Sequence, residues 1–208
     1  SRWTSYLVDE QPALLSAVWL ILIFGLPFLV GLGAFNQFSG DVQTRGIRYQ
    51  LLRTDRSNIF FGRFLATLAF SLLVLAAVVL TIGLYVGLKL EVYKGSAVAG
   101  WSLRGFLALA VIAMPYVALC SWISAHVDSP FGSLTICNLV VGIVPFLSFI
   151  GRNSWEPLAK INYALPWPFH NDLLHPDAAR VAGAAGACLG YTAVFLALGY
   201  LRFSRRDL

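Results

Sequence analysis

Charge is what this chain has least of. Aspartate, glutamate, lysine and arginine make up 12% of its 208 residues, about half the share of a typical soluble domain. Hydrophobic residues reach 58% and mean hydropathy is +0.74. Together these values exclude an ordinary water-soluble globule. A second absence concerns energy. No G-x-x-x-x-G-K-[ST] occurs anywhere, so the chain has no P-loop with which to bind ATP itself. A third concerns the apolar stretches, whose interiors hold no Asp, Glu, Lys, Arg or His. Proton- and ion-coupled transporters place such residues in their spans, although some broken-helix sites are uncharged. The cysteines are only three. Cys120, Cys137 and Cys188 all fall in apolar runs at spacings that match no metal or redox motif, and read as small buried hydrophobes.

What is present is a set of five long apolar runs, at residues 13–35, 60–88, 103–125, 131–150 and 181–201. Each reaches the ~20 residues that carry a helix across a ~30 Å hydrocarbon core. They are continuously apolar rather than alternating, which favours helices over outer-membrane strands. The expected fold is therefore all-α and polytopic, a single transmembrane domain over residues 1–208. Residues 1–11 are polar and the chain starts at Ser1 without methionine. Five spans and this start lead to the expectation of a sixth, preceding helix in the full protomer.

Basic residues gather on cytoplasmic flanks of membrane proteins. The segment 41–63 carries Arg45, Arg48, Arg53, Arg56 and Arg63, and the tail carries Arg202, Arg205 and Arg206, eight of the fifteen Lys and Arg. Four spans separate the two segments, so both lie on one side, and the charge bias assigns that side to the cytoplasm. The net charge of +5 thus reads as an orientation signal in a cell membrane, the bacterial inner membrane being the expected one, and not as a nucleic-acid footprint.

The segment 41–63 reads as a short amphipathic helix lying along the cytoplasmic surface. Ser39 or Asp41 is placed to cap it. Ile47 and Leu51 fall on one face, with Arg45 and Arg48, then Arg53 and Arg56, around the other. Two roles suit such a helix. Its arginines can snorkel to lipid phosphates, or they can dock a soluble partner.

The order Asp41, Gly46, Leu51-Leu52, Arg56 and Gly62-Arg63, with the ending Phe203-Ser204-Arg205-Arg206-Asp207-Leu208, resembles the permease subunits of ABC type-2 exporters. Ile47 and Arg63 stand where that family often has threonine and lysine, and the proline frequent after the Leu-Leu pair is missing. The resemblance implies a coupling helix seated on an ATP-hydrolysing subunit. The coupling residues would be Asp41, Arg45, Gly46, Arg48, Leu51, Leu52, Arg53, Arg56 and Arg63. It further implies a dimer of permeases, a pair of ATPase subunits holding ATP and Mg, no catalytic, cofactor or metal site in this chain, and contact with membrane lipid. The alternative is a non-transporting membrane subunit that anchors or mechanically couples a larger machine.

Other features read as structural. Pro27, Pro115 and Pro145 lie within spans as hinges or packing adaptations. Gly83–Gly87 and Gly186–Gly190, the latter extended by Ala182, read as small-residue packing within one subunit. In the connection 151–180, Trp155, Tyr163, Trp167 and Phe169, with Pro166 and Pro168, read as short re-entrant or surface helices at headgroup level. His170, Asp172, His175 and Asp177 fit no metal signature and are expected to be solvated. His126 and Asp128 belong to a turn. Ser121, Ser124 and His126 cluster, yet lack the orienting partner a hydrolase needs. Uncharged walls suit a lipidic or amphiphilic cargo over an ion.

Overall fold

Runs of Leu, Val, Ile, Phe and Ala with few breakers give helices, and the computed structural model is built of them. It describes residues 6–7, 11–44, 54–89, 93–154 and 160–205. In chain order the helices are α1 (Ala13–Ala34), the short α2 (Ser39–Gln43), α3 (Arg56–Lys89), α4 (Gly95–His126), α5 (Pro130–Ser154) and α6 (Ala178–Ser204). Three 3-10 segments, Lys160–Ala164, Trp167–Phe169 and Asn171–Leu174, fill the connection between α5 and α6. No strand occurs among the described residues. Five of the helices are long and apolar enough to cross a membrane. Each overlaps one of the expected runs, and Pro27, Pro115 and Pro145 lie inside α1, α4 and α5.

α4 is the axis of the bundle and touches α1, α3, α5 and α6. Two-thirds of its apolar window (67%) is buried, against 11% for α3. Small residues make this possible. Trp19 of α1 is fully buried because Gly105 of α4 has no side chain. A Cβ there would stand 2.7 Å from the indole. Likewise Gly199 of α6 admits Phe60 and the backbone of Trp122, at 2.9 and 3.2 Å from where its Cβ would be. The glycines that matter for packing are thus not all those expected. A Cβ at Gly186 or Gly190 meets nothing within 4 Å, so that pair does not pack inside this chain.

α4 also begins earlier than hydropathy suggested. Arg104 lies nine residues into the helix, about 13 Å from its start at 1.5 Å per residue. The cation is accommodated because its guanidinium donates to Tyr6 Oη at 2.9 Å and to the His175 carbonyl. It also lies over the rings of Tyr6 and Trp101 at 5.9 and 5.6 Å.

Candidate functional site

The end of the bundle where α1 finishes, α3 starts and α4 and α6 finish carries the described part of segment 41–63. We call it the arginine end. Its centre is a buried aromatic cluster of Phe38, Ile59, Phe60, Ala125 and Phe203. Phe38 stacks on Phe60 with centroids 5.2 Å apart, and Phe203 tilts against both.

Around that cluster the chain turns from α1 into α2, and its backbone groups need partners. They find them in short hydroxyl side chains of other helices. The Phe38 and Ser39 N–H groups both donate to Ser124 Oγ, at 2.9 and 3.0 Å. Ser133 Oγ of α5 donates to the Phe35 carbonyl at 2.8 Å. The Ser121 hydroxyl lies 2.6 Å from Gln37 Oε1 and 2.9 Å from the Val117 carbonyl. One proton cannot serve two acceptors, and Gln37 Nε2 is buried without a partner. Turning the Gln37 amide over resolves the conflict at this serine, since Nε2 then donates to Ser121 Oγ while Ser121 donates to Val117.

α2 is not capped by the side chain of Ser39 or Asp41. Phe38 occupies the N-cap position with no side-chain bond, and Ser39 is buried inside the first turn. Ser124 does the work of a cap from a distance. Asp41 instead pairs with Arg63. Arg63 stands seven residues into α3, about 10 Å from its start, and extends back along the Phe38 ring, 5.6 Å from the centroid. There it meets both the Asp41 carboxylate and the Gln37 carbonyl. Arg56, the first residue of α3, donates to the Ser204 carbonyl at 2.7 Å and reaches that of Phe203 at 3.4 Å. Both carbonyls belong to the last turn of α6, that of Phe203 also accepting from Arg205 N–H, so Arg56 helps to cap that helix.

Three of the nine expected coupling residues are therefore brought together here: Asp41, Arg56 and Arg63. Arg45, Gly46, Arg48, Leu51, Leu52 and Arg53 lie outside the described residues, between two tied roots. Sequence reading missed Gln37 and Ser133, and weighed Ser121 and Ser124 only as part of a hydrolase grouping. The available signal was three small hydroxyls, Ser121, Ser124 and Ser133, near the facing ends of two apolar helices.

The opposite end differs from expectation in one respect. His170 is fully buried and not solvated. The 3-10 segments fold inward, burying Leu165, Trp167, Leu173 and Leu174. His170 Nε2 lies 3.2 Å from Tyr116 Oη, and its ring sits 4.7 Å from that of Trp167. Burial disfavours the imidazolium and pushes its pKa down to about 3. His175 and Asp177 form a turn in which Asp177 N–H donates to His175 Nδ1. Asp177 in turn caps α6 by accepting from Ala179 N–H at 3.0 Å.

No family model matches the chain, and neither the curated proteins nor the solved structures contain a match to it.

Proposed function

We propose that this chain is the multi-pass membrane subunit of an ATP-driven exporter of the ABC type-2 class. In this reading it works as a dimer with two separate ATPase subunits, in a bacterial inner membrane. The observation that carries the reading is the double anchoring of segment 41–63. One root is held to α1 and α2 through Arg63, Gln37 and Asp41. The other is held to the last turn of α6 through Arg56. Between the roots the sequence places Arg45, Arg48 and Arg53. A segment tied to helices from both ends of the chain delivers any displacement of its middle to α1, α3 and α6 together. That suits a lever worked by a soluble motor, which in this reading is a separate ATPase subunit, these 208 residues holding no P-loop.

The test is co-purification of the ATPase with the tagged full chain in mild detergent. Arg48→Ala with Arg53→Ala should lower ATPase retention tenfold or more while leaving the unfolding temperature of the chain unchanged. Lysine at both positions should fail to rescue, because a partner that reads the planar guanidinium distinguishes the two cations. Full rescue by lysine would identify the segment as a lipid-held surface helix. Unchanged retention in the alanine variant would refute docking. Stimulation of ATP hydrolysis by an amphiphilic substrate separates export from the alternative role of a non-transporting anchor.

A further inference from the structure

At the end away from the arginines, α3 and α4 line an apolar groove of about 510 Å³. It runs from Ala76 to Leu88 on α3 and from Gly95 to Phe106 on α4. Gly83, Gly87 and Ala99 give it depth, and its leucine walls are exposed at Leu80, Leu84, Leu88 and Leu103. Twelve residues separate Ala76 from Leu88, so the groove is about 18 Å long at the helical rise. That length is close to the ~15 Å depth of one leaflet of a ~30 Å core, which an extended hydrocarbon chain follows.

A charged feature marks which hydrocarbon chain fits. At the mouth stand the exposed Lys89, last residue of α3, and Lys94, the N-cap of α4. Two cations above a slot one leaflet deep match a phosphate above an acyl chain.

We propose that this groove holds one acyl chain of an anionic phospholipid from the adjoining leaflet, with its phosphate at Lys89 and Lys94. The proposal requires that the chain spans a bilayer but not that it exports anything. Ala99 lines the groove from an exposed position, so Ala99→Phe fills the slot without entering the core.

Native mass spectrometry of the purified full chain, titrated with phosphatidylglycerol and phosphatidylcholine, gives the direct test. The wild type should prefer phosphatidylglycerol about tenfold. Ala99→Phe should weaken its binding about tenfold, and Lys89→Gln with Lys94→Gln should abolish the preference while retaining phosphatidylcholine. Binding indifferent to these changes overturns the proposal. A second measurement needs no variant, using phosphatidylglycerol with a photoreactive acyl chain on the wild-type protein. Crosslinks concentrated at Val79, Leu84, Leu103 and Phe106 support the assignment. Crosslinks spread equally over Phe146 and Phe149 on α5, or chain-to-chain crosslinks at Leu84, refute it.

Discussion

The two ends of the helix bundle are closed by opposite means. At the arginine end, charged side chains of α3 reach across to neighbouring segments and hold their carbonyls. Arg63 and Asp41 stay partly open to solvent, with side chains 23% and 38% exposed. At the other end a connection folds inward and seals itself with neutral groups, the fully buried His170 among them. The difference follows from what each closure costs. A charge kept at the rim needs little desolvation, and a partner or solvent can replace its contacts cheaply. A buried imidazole must stay neutral and is fixed by packing. The first closure suits a surface that exchanges partners, the second a lid.

The largest expected effect breaks the comparison at its hidden point, since the arginine end also depends on one buried hydroxyl. Ser124→Ala leaves the N–H groups of Phe38 and Ser39 without an acceptor in a fully buried site. Unsatisfied buried donors cost about 1–3 kcal/mol apiece, so the variant should lose about 3 kcal/mol in denaturant-driven unfolding in mixed micelles. A loss under ~1 kcal/mol would mean that the turn into α2 is held by the arginines alone.

The next effect sharpens the comparison through pH. His170 binds a proton near pH 6.5 when unfolded and only at about 3 when folded. The unfolded state therefore holds the extra proton between those values, and stability present above about 6.5 is lost as pH falls toward 3. At pH 4.5 the loss from this group is about 2–3 kcal/mol, at ~1.4 kcal/mol per unit. His170→Gln should flatten the slope of unfolding temperature against pH between 4 and 6. An unchanged slope would show that the lid is not sealed by a neutral imidazole.

The smallest effect belongs to the rim. A double-mutant cycle on Asp41→Asn and Arg63→Gln should return a coupling of about 0.5–1 kcal/mol, as for partly exposed pairs, and less in high salt. A coupling above ~3 kcal/mol would place this pair in the same class as the buried lid and erase the contrast between the ends.

The five long helices were legible because hydropathy reports length directly. Which helix stands at the centre was not. In a bundle of this kind lipid-facing and core-facing surfaces are both apolar, so α3 and α4 look alike by hydropathy while their burial differs sixfold. The informative residues were the small ones, such as Gly105, Ala113 and Ala118 on α4, against the exposed leucines of α3. The start of α4 was misjudged because Arg104 reads as a boundary until Tyr6 and His175 supply its partners. His170 was misjudged for a related reason. It is followed by Asn171 and Asp172, and only the inward fold of Trp167 and Leu174 removes it from water. The arginine end was partly legible, in that Asp41, Arg56 and Arg63 do converge. Their bonds to α6 and to the Gln37 carbonyl are long-range and leave no mark on local spacing.

The central place of α4 also bears on how the molecule is made. Synthesis runs from the N-terminus, so α1 and α3 enter the bilayer before α4 exists. α3 is fitted for that wait, since nearly nine-tenths of its apolar window faces outward even in the finished bundle. α4 carries Arg104 and the hydroxyls of Ser121 and Ser124, which find partners on residues 6, 37, 38 and 39, all upstream of it, the His175 carbonyl that Arg104 also binds coming later. The helix least suited to stand alone in lipid therefore arrives when those partners have already been translated, and only α5, the inward-folded turns and α6 remain to be added around it.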